Sequence, residues 1–329
     1  MTDAPQQQKT KPKFSTESPQ ISVESRPTNA VIVNPTAGRG QAGKQVAAIR
    51  TLLGPRAEEW GWYFTKGRGD AEQLARAAAE AGAPVVVAVG GDGTLHEVAN
   101  GILGTKSTVG LIPFGTGNDL ARALGIYNNL PAACKAITDG DTINVDVGVL
   151  EGEGTGGQRH FIVLSGTGFD ARTAQTVNSG IRWISGAGAY VVGAMVTLSK
   201  FQPFELTLTL DGGEPIRKKA MFVSIANAPT TGGGMLIAPG ATVDDGKFDI
   251  CLAGEVSRPT LLYQLTQVFK GDHVKHPAVT MLKASSITLD ADPPQPLLID
   301  GEVIGTTPAR ISLLPGALPM KVPRRSMSI

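Results

Sequence analysis

The chain has 329 residues, of which 41% are hydrophobic and 18% charged, a composition typical of a globular protein of about two domains. Thirty Lys and Arg residues stand against 29 Asp and Glu residues, and the net charge of +1 excludes a strongly basic nucleic-acid binder. Two cysteines, Cys134 and Cys251, are too few for a disulfide scaffold or a cysteine-based zinc module.

The first 27 residues are polar and lack apolar periodicity, so we expect residues 1–27 to form a disordered tail. They contain no apolar segment typical of a secretory signal, which favours a cytoplasmic protein. The longest apolar stretch, residues 187–198, is shorter than the roughly 20 residues that a membrane-spanning helix needs.

In the first half, short apolar runs alternate with helical patterns. Runs without polar alternation are typical of strands buried on both faces, and this order predicts a doubly wound parallel sheet. The predicted elements are strand Ala30–Val33, helix Gln41–Leu53, strand Trp60–Thr65, helix Asp70–Ala81, strand Pro84–Val89, a helix to Leu103, strand Thr108–Ile112 and helix Leu120–Leu124.

After about Asp146 the pattern becomes that of a mostly antiparallel β domain, because many runs alternate between apolar and polar residues. A hairpin is predicted at Glu151–Gly157 and helices at Ile184–Lys200 and Thr260–Phe269. The predicted strands are Phe161–Leu164, Glu205–Leu210, Ala220–Ile225, Phe248–Leu252, Ser286–Leu289 and Pro296–Ile299.

Three glycine-rich turns, at residues 34–43, 90–94 and 115–118, each follow a predicted strand and precede a helix. This places them at the carboxyl edge of the sheet, where backbone N–H groups and helix N-termini bind phosphates. The set favours a nucleotide or another polyphosphate as ligand. The alternative is that these glycines only form turns.

The first turn matches two known phosphate motifs incompletely. Gly38 to Gly43 fits the dinucleotide pattern, but four residues separate it from the strand and Glu58 precedes the second strand instead of following it. Gly38 to Lys44 fits the start of a P-loop, but Gln45 replaces the Ser or Thr that binds Mg²⁺.

Acidic residues follow three of the strands. Asp92 and Asp119 lie in the second and third turns, and Asp146 ends a further strand. Carboxylates at a phosphate-binding edge favour a Mg²⁺ ion between them and the phosphates. Helix N-caps at Asp92 and Asp119, and a turn at Asp146, are the alternatives.

These residues resemble the diacylglycerol kinase catalytic-domain superfamily, which includes sphingosine and ceramide kinases and a bacterial branch of soluble lipid kinases. The resemblance runs from about Ala30 to about Val322. The matching motifs are Asn34-Pro35-Thr36-Ala37-Gly38, Gly90-Gly91-Asp92-Gly93-Thr94-Leu95, Pro113-Phe114-Gly115-Thr116-Gly117-Asn118-Asp119, Asn227, Gly232-Gly233-Gly234, Ala238-Pro239, Asp244-Asp245-Gly246-Lys247-Phe248-Asp249 and Asp300-Gly301-Glu302.

The resemblance implies a kinase with its active site in a cleft between two domains. An ATP-binding α/β domain would span residues 28–146, with a C-terminal segment of about 305–329 returning to it, and a β-rich lipid-substrate domain would span 147–304. ATP is expected to contact Asn34, Pro35, Thr36, Ala37, Gly38, Thr65, Gly91, Asp92, Gly93, Thr94, Leu95, His96, Glu97 and Thr116.

The resemblance also implies roles for acidic residues. Glu302 matches the proposed general base, with Asp300 beside it and Asp92 as the less favoured candidate. Asp92, Asp119 and Asp146 would hold a Mg²⁺–water network. A second, structural Mg²⁺ site would involve Thr242, Asp245 and Lys247. Without the resemblance, Glu302 could also be an acidic residue of a hairpin turn with no catalytic role.

One residue departs from the family pattern, because His96 stands where Asn is usual. The expected substrate is diacylglycerol or a related lipid, and the protein is expected to contact the inner membrane face peripherally. No nucleic-acid partner is expected, and a homodimer is possible. Ser179–Lys200 would line an acyl-chain cleft or form an ordinary core helix. The alternatives are a soluble-substrate kinase of the NAD kinase type and a non-catalytic nucleotide- or lipid-binding regulator.

Overall fold

A computed structural model describes residues 28–126, 129–180, 193, 196–198 and 201–324. The predicted tail, residues 1–27, lies outside the described residues, and so does most of the predicted helix Ile184–Lys200. No helix in the described ranges is long and apolar enough to cross a bilayer.

The first half contains four strands that pair in parallel in the order β2-β1-β3-β4. The apolar runs of β1, β3 and β4 are almost fully buried, whereas β2, at the end of the strand order, is partly exposed. A helix follows each strand. The elements are β1 (Ala30–Val33), α1 (Ala37–Lys44), α2 (Val46–Leu53), β2 (Gly61–Phe64), α3 (Asp70–Glu80), β3 (Val85–Gly90), α4 (Asp92–Ile102), β4 (Thr108–Pro113), α5 (Asp119–Ala123) and α6 (Leu130–Asp139).

The second half is mostly β structure with antiparallel pairing. Its strands carry the expected alternation; in β12, for example, buried and exposed residues alternate throughout. The elements are β5 (Asp141–Glu153), β6 (Arg159–Phe161), β7 (Leu164–Gly168), α7 (Phe169–Gly180), β8 (Phe204–Leu210), β9 (Ile216–Ala226), β10 (Phe248–Gly254), α8 (Arg258–Val268), β11 (Val279–Ala284), β12 (Ser286–Asp292), β13 (Pro296–Ile299) and β14 (Glu302–Val322).

The last strand, β14, connects the two halves. It begins against β13, continues along β5, and near its end Met320 pairs in parallel with Val109 of β4. The start of β14 is therefore fixed in the second half while its end lies beside the parallel strands, and this holds the two halves in one continuous sheet.

Two predicted elements are wrong in extent. The helix predicted over Gln41–Leu53 is two helices, because Gly38, Arg39 and Gly40 have positive φ and the chain turns again at Gln45. The strand predicted over Phe161–Leu164 is the junction of β6 and β7. Its backbone N–H groups bond to the carboxylate of Asp300 instead of to a neighbouring strand.

Candidate functional site

The three glycine-rich turns lie at the carboxyl ends of β1, β3 and β4, as the sequence predicts. They approach one another closely: a Cβ atom on Gly91 would lie 3.0 Å from the Cα of Gly115. A Cβ on Gly38, whose φ is +60°, would lie 2.8 Å from the carbonyl oxygen of Phe114. Glycine is therefore required for these backbone segments to share one edge.

A cleft of about 360 Å³ opens at this edge. Six predicted nucleotide-contacting residues line it, together with the predicted base. They are Asn34, Thr36, Thr65, Gly93, Thr94 and Glu97, and the base is Glu302. The other predicted contacts do not line this cleft. Leu95 is buried in the core, Thr116 is exposed, and Gly38 lines a separate cavity of about 400 Å³ with Phe114 and Gly115.

The floor of the cleft is fixed by side-chain hydrogen bonds. Asn34 donates from Nδ2 to Thr94 Oγ1 (3.2 Å) and accepts at Oδ1 from the backbone N and hydroxyl of Thr36. Glu97 accepts from the backbone N–H groups of Gly69 and Ala71 and so holds the loop after β2 against α4. These hydrogen bonds fix the relative positions of the polar residues on the floor.

The loop after β2 adds two basic residues that the sequence prediction missed, Lys66 and Arg68. Asp70 shapes this loop by accepting from the backbone N–H groups of Lys66 and Gly67. Asp70 is the first residue of α3, and Gly69 is the N-cap of that helix. Basic residues directly after a strand at the phosphate-binding edge are the signal by which these two side chains could have been found.

Glu302, the first residue of β14, forms the wall of the cleft that belongs to the second half. Its carboxylate makes an ion pair with Arg68, and its side chain is 44% exposed. Glu302 is therefore a solvent-accessible carboxylate that faces the loop after β2 across the cleft.

Asp300 has a different environment, although it lies only two residues away. Its side chain is 5% exposed, and its carboxylate accepts from the backbone N–H groups of Ile162, Val163 and Leu164 and bonds to His96 Nδ1 at 2.8 Å. Both carboxylate oxygens of Asp300 thus have hydrogen-bond partners. It fixes the turn from which Glu302 projects.

His96 of α4 thus joins the first half to the β13–β14 turn. Burial alone would lower the pKa of His96, but the hydrogen bond to Asp300 and the charges of Asp300, Glu302 and Glu72 raise that pKa overall. Burial lowers the pKa of the neighbouring His160, as does the charge of His96. The pKa values of the two neighbouring histidines are therefore shifted in opposite directions.

Asp92 and Asp119 lie close together behind the cleft. Asp92 accepts from the backbone N–H groups of Asn118 (2.8 Å) and Asp119 (2.9 Å). Asp119 in turn accepts from the backbone N–H groups of Gly233 and Gly234 at 3.0 Å each. Asp119 therefore links α5 to the glycine-rich loop of the second half.

The electrostatics at Asp92 fit a cation. Burial, repulsion by Asp119 and the charge of Asp300 raise its pKa, although the two backbone hydrogen bonds oppose this. A Mg²⁺ ion prefers such carboxylate oxygens. Across the described ranges, however, no group of three or more His, Cys, Asp or Glu side chains is close enough to hold a metal ion.

Asp146 does not join Asp92 and Asp119, contrary to the predicted three-carboxylate network. Its two carboxylate oxygens accept from the backbone N–H groups of Gly246 (2.8 Å) and Gly316 (2.7 Å), and the side chain is buried. This residue instead fixes the 242–247 loop to the turn in β14.

The residues of the predicted structural Mg²⁺ site do lie together in that loop. Asp245 accepts from Thr242 Oγ1 (3.2 Å), from the backbone N–H of Lys247 (3.1 Å) and from Lys283 Nζ (3.0 Å). Oxygen donors of this kind fit Mg²⁺. The ammonium group of Lys283, which also bonds to Asp249, already balances part of their charge.

A second, apolar cavity lies in the second half. It is walled by α8, β7, β9 and β10, and its lining includes Phe169, Phe222, Leu261 and Leu265. Leu164 belongs to both sites, because it lines this cavity while its backbone N–H donates to Asp300. One end of the apolar cavity therefore lies directly behind the turn that carries Glu302.

A phosphate-binding edge, a basic loop and an accessible carboxylate around one cleft define a nucleotide-dependent phosphotransferase. Comparisons with known proteins give the class more closely. Residues 28–150 match the family model described as diacylglycerol kinase catalytic domain, and residues 163–322 match the YegS C-terminal NAD kinase beta sandwich-like domain.

Proteins named diacylglycerol kinase match most of the chain. The one from Mycobacterium tuberculosis is 33% identical over 294 residues, covering 89% of this chain and 94% of the relative. The one from Bacillus subtilis is 29% identical over 281 residues, covering 84% and 90%. The crystal structure of a diacylglycerol kinase from Bacillus anthracis superposes with a TM-score of 0.67 at 24% identity, covering 90% and 97% of the two chains, and shows the same fold.

The chain belongs to the diacylglycerol kinase family and is a lipid kinase. Membership of a kinase family implies ATP as the phosphate donor. The mostly β second domain that the sequence predicts is confirmed by the match to the β-sandwich-like family model.

Proposed function

We propose that this chain transfers the γ-phosphoryl group of ATP to the hydroxyl group of diacylglycerol or a closely related lipid. The observation that carries the proposal is the position of Glu302 in the same cleft as the glycine-rich phosphate-binding turns. Of the three candidate bases, Asp300 and Asp92 accept hydrogen bonds at both carboxylate oxygens. The partner of Glu302 within the described residues is the exposed Arg68.

Each side of the cleft contributes to the reaction. The turns that contain Asn34, Thr36 and Gly93 offer backbone and side-chain donors to the phosphates of ATP. Lys66 and Arg68 add positive charge beside them. A bound γ-phosphate competes with Glu302 for Arg68, so nucleotide binding releases the Glu302 carboxylate to accept the proton of the lipid hydroxyl.

The proposal includes a Mg²⁺ ion, which Asp92 and Asp119 would hold and which would neutralise charge on the phosphates of ATP. The structural site at Thr242, Asp245 and Lys247 belongs to the same proposal. Asp146 contributes indirectly, because it holds the loop that carries Asp245.

The apolar cavity supplies the place for an acyl chain. Its lining is dominated by aliphatic and aromatic residues, and one end lies behind the Asp300 turn. A chain in this cavity would leave the lipid headgroup near Glu302. Such a substrate resides in a bilayer, so we also propose that the protein contacts the membrane surface peripherally. Whether it forms a homodimer is a separate question, to be answered by measuring its mass in solution.

We further propose that the first half is a doubly wound α/β domain and that the two domains span residues 28–146 and 147–304. Parallel pairing of β2-β1-β3-β4, with a helix after each strand, supports the first. The pairing of Met320 with Val109 supports the return of the C-terminal segment to the nucleotide-binding half.

The test is transfer of label from [γ-³²P]ATP, with Mg²⁺, to diacylglycerol, phosphatidylglycerol, sphingosine, ceramide or undecaprenol in mixed micelles. NAD serves as the soluble control. We expect labelled phosphatidic acid from diacylglycerol. Label on another lipid would support a lipid kinase with a different substrate. Label on NAD alone would refute the proposal and favour a soluble-substrate kinase. ATP binding without any transfer would favour a regulator.

A further inference from the structure

Helix α8 presents an apolar face to the exterior. The residues of this outer face, all of them exposed, are Leu262, Tyr263, Thr266 and Phe269. The three large side chains, Leu262, Tyr263 and Phe269, are 39%, 61% and 41% exposed. Helix α3, which has the same length of 11 residues, instead exposes acidic residues such as Glu72 and Glu80. Surface helices normally carry polar residues outward, so the outer face of α8 needs an explanation.

The opposite face of α8 lines the apolar cavity. Leu261 and Val268 are buried there, and Leu265 lies between them on the same side of the helix. The helix therefore stands between the cavity and the exterior and has apolar side chains on both sides. A helix that is apolar all round is typical of one that is surrounded by protein or by lipid.

Basic residues bracket the outer face. Arg258 and Lys270 are exposed at its two ends, and the eleven residues between them carry no charge. Two acids flank this segment in the sequence, Glu255 and Asp272, and Asp272 forms an ion pair with Lys275 at 2.6 Å. An apolar face between basic ends fits the surface of a bilayer that contains anionic lipids, because apolar side chains enter the headgroup region while basic ones stay among the phosphates.

We infer that α8 is the element by which this protein docks on a bilayer that contains anionic lipids, with its outer face inserted at the level of the headgroups. The inference rests on the proposed function, since a lipid substrate has to leave a bilayer and the same helix lines the cavity proposed for its chain. Tyr263 suits this position because its ring is apolar and its hydroxyl bonds to polar headgroups.

Insertion of the outer face is tested with a fluorescent label. Both native cysteines are buried, so Thr266→Cys provides one accessible thiol for an environment-sensitive dye. Vesicles of phosphatidylcholine and phosphatidylglycerol should shift the emission of this dye to shorter wavelength. Thr51→Cys, on the exposed side of α2, is the matched control, because the hydroxyl of each threonine donates to a backbone carbonyl of its own helix. The emission of the control should not shift.

The apolar contribution is tested by vesicle co-sedimentation. Leu262→Ser should weaken binding to the same vesicles about threefold, because the exposed part of the leucine no longer leaves water. Adding Tyr263→Ser should bring the loss to about tenfold. Leu52→Ser on α2 is the matched control, since Leu52 is also 39% exposed, and it should bind as the wild type does.

The basic contribution is tested with Lys270→Gln. Binding to vesicles that contain phosphatidylglycerol should weaken about fivefold, the effect of one basic residue near an anionic surface, and binding to phosphatidylcholine alone should not change. Lys106→Gln, at an exposed position before β4, is the control and should bind both kinds of vesicle as the wild type does.

Activity separates this inference from the proposed function. The Leu262→Ser/Tyr263→Ser double variant should keep the wild-type kcat on dioctanoylglycerol in detergent micelles, while its KM for diacylglycerol in vesicles rises. If no lipid is phosphorylated, the proposed function fails, and vesicle binding through α8 still decides the inference.

Two results would overturn the inference while leaving phosphorylation in micelles intact. One is an unshifted emission of the dye on Thr266→Cys, and the other is equal vesicle binding by the wild type and the double variant. If the double variant binds vesicles normally but is a monomer where the wild type is a dimer, the outer face contacts a second copy of the chain and not a bilayer.

Discussion

Replacement of His96 by Asn tests how the two halves are held across the cleft. The Nδ2 of Asn lies where Nδ1 of His96 lies, 2.8 Å from Asp300 Oδ2, so the variant keeps a hydrogen bond and loses only the ring's charge. The charge should matter, because Asp300, Glu302 and Glu72 raise the pKa of His96 against the effect of burial.

The sign of the pH dependence follows from this raised pKa. Below about pH 6.5 the histidine is protonated in both the folded and unfolded states, and the stabilising contribution is fully present. As the pH rises, the unfolded state loses its proton first, and the contribution is lost as the pH passes through the raised pKa of the folded state. A charged hydrogen bond exceeds a neutral one by about 1 kcal/mol, which sets the expected difference between wild type and variant.

The measurement is urea-induced unfolding of both proteins at pH 6 and pH 8.5, followed by circular dichroism. The wild type should exceed His96→Asn by about 1 kcal/mol at pH 6, and this difference should shrink at pH 8.5. His160→Asn, next to the pair but with a lowered pKa, serves as the control and should not reproduce that pattern. Parallel pH profiles for wild type and His96→Asn would refute the raised pKa of His96.

Two further substitutions test other parts of the structure. Asp119→Asn weakens the bonds from Gly233 and Gly234 and should lower the free energy of unfolding by about 2 kcal/mol, measured by urea titration; an unchanged midpoint would contradict that link between the halves. Burial raises the pKa of Asp170 to about 7 from an ordinary 3.8, so the stability of the wild type relative to Asp170→Asn should fall by about 2–3 kcal/mol between pH 5 and pH 8.5. A constant difference across that range would show that Asp170 titrates normally.

Strands β1, β3 and β4 were predictable from sequence because they are continuous apolar runs buried on both faces, as in Ala30–Val33. The place of the phosphate-binding turns followed from the strand–turn–helix order. Lys66 and Arg68 were not predicted, because two basic residues in a short loop are equally typical of a solvated turn.

The roles of individual acids were not predictable, because they depend on partners far away in the chain. Asp146 bonds to backbone groups 100 and 170 residues later, which no local pattern reveals. Asp300 and Glu302 are equivalent in the sequence, yet one has its carboxylate filled by residues 162–164 and His96, and the other faces the cleft. Only the fold separates the buried acid from the accessible acid that we propose as the base.

The most direct test of the account compares wild type with Glu302→Gln in transfer of labelled phosphate from ATP to diacylglycerol, together with ATP binding. A general base contributes about 10²–10⁴ to the rate, so kcat should fall at least about 100-fold while ATP affinity is retained. Glu80→Gln, at an exposed position at the end of α3, is the control and should match wild type. Near-normal kcat in Glu302→Gln would contradict the account.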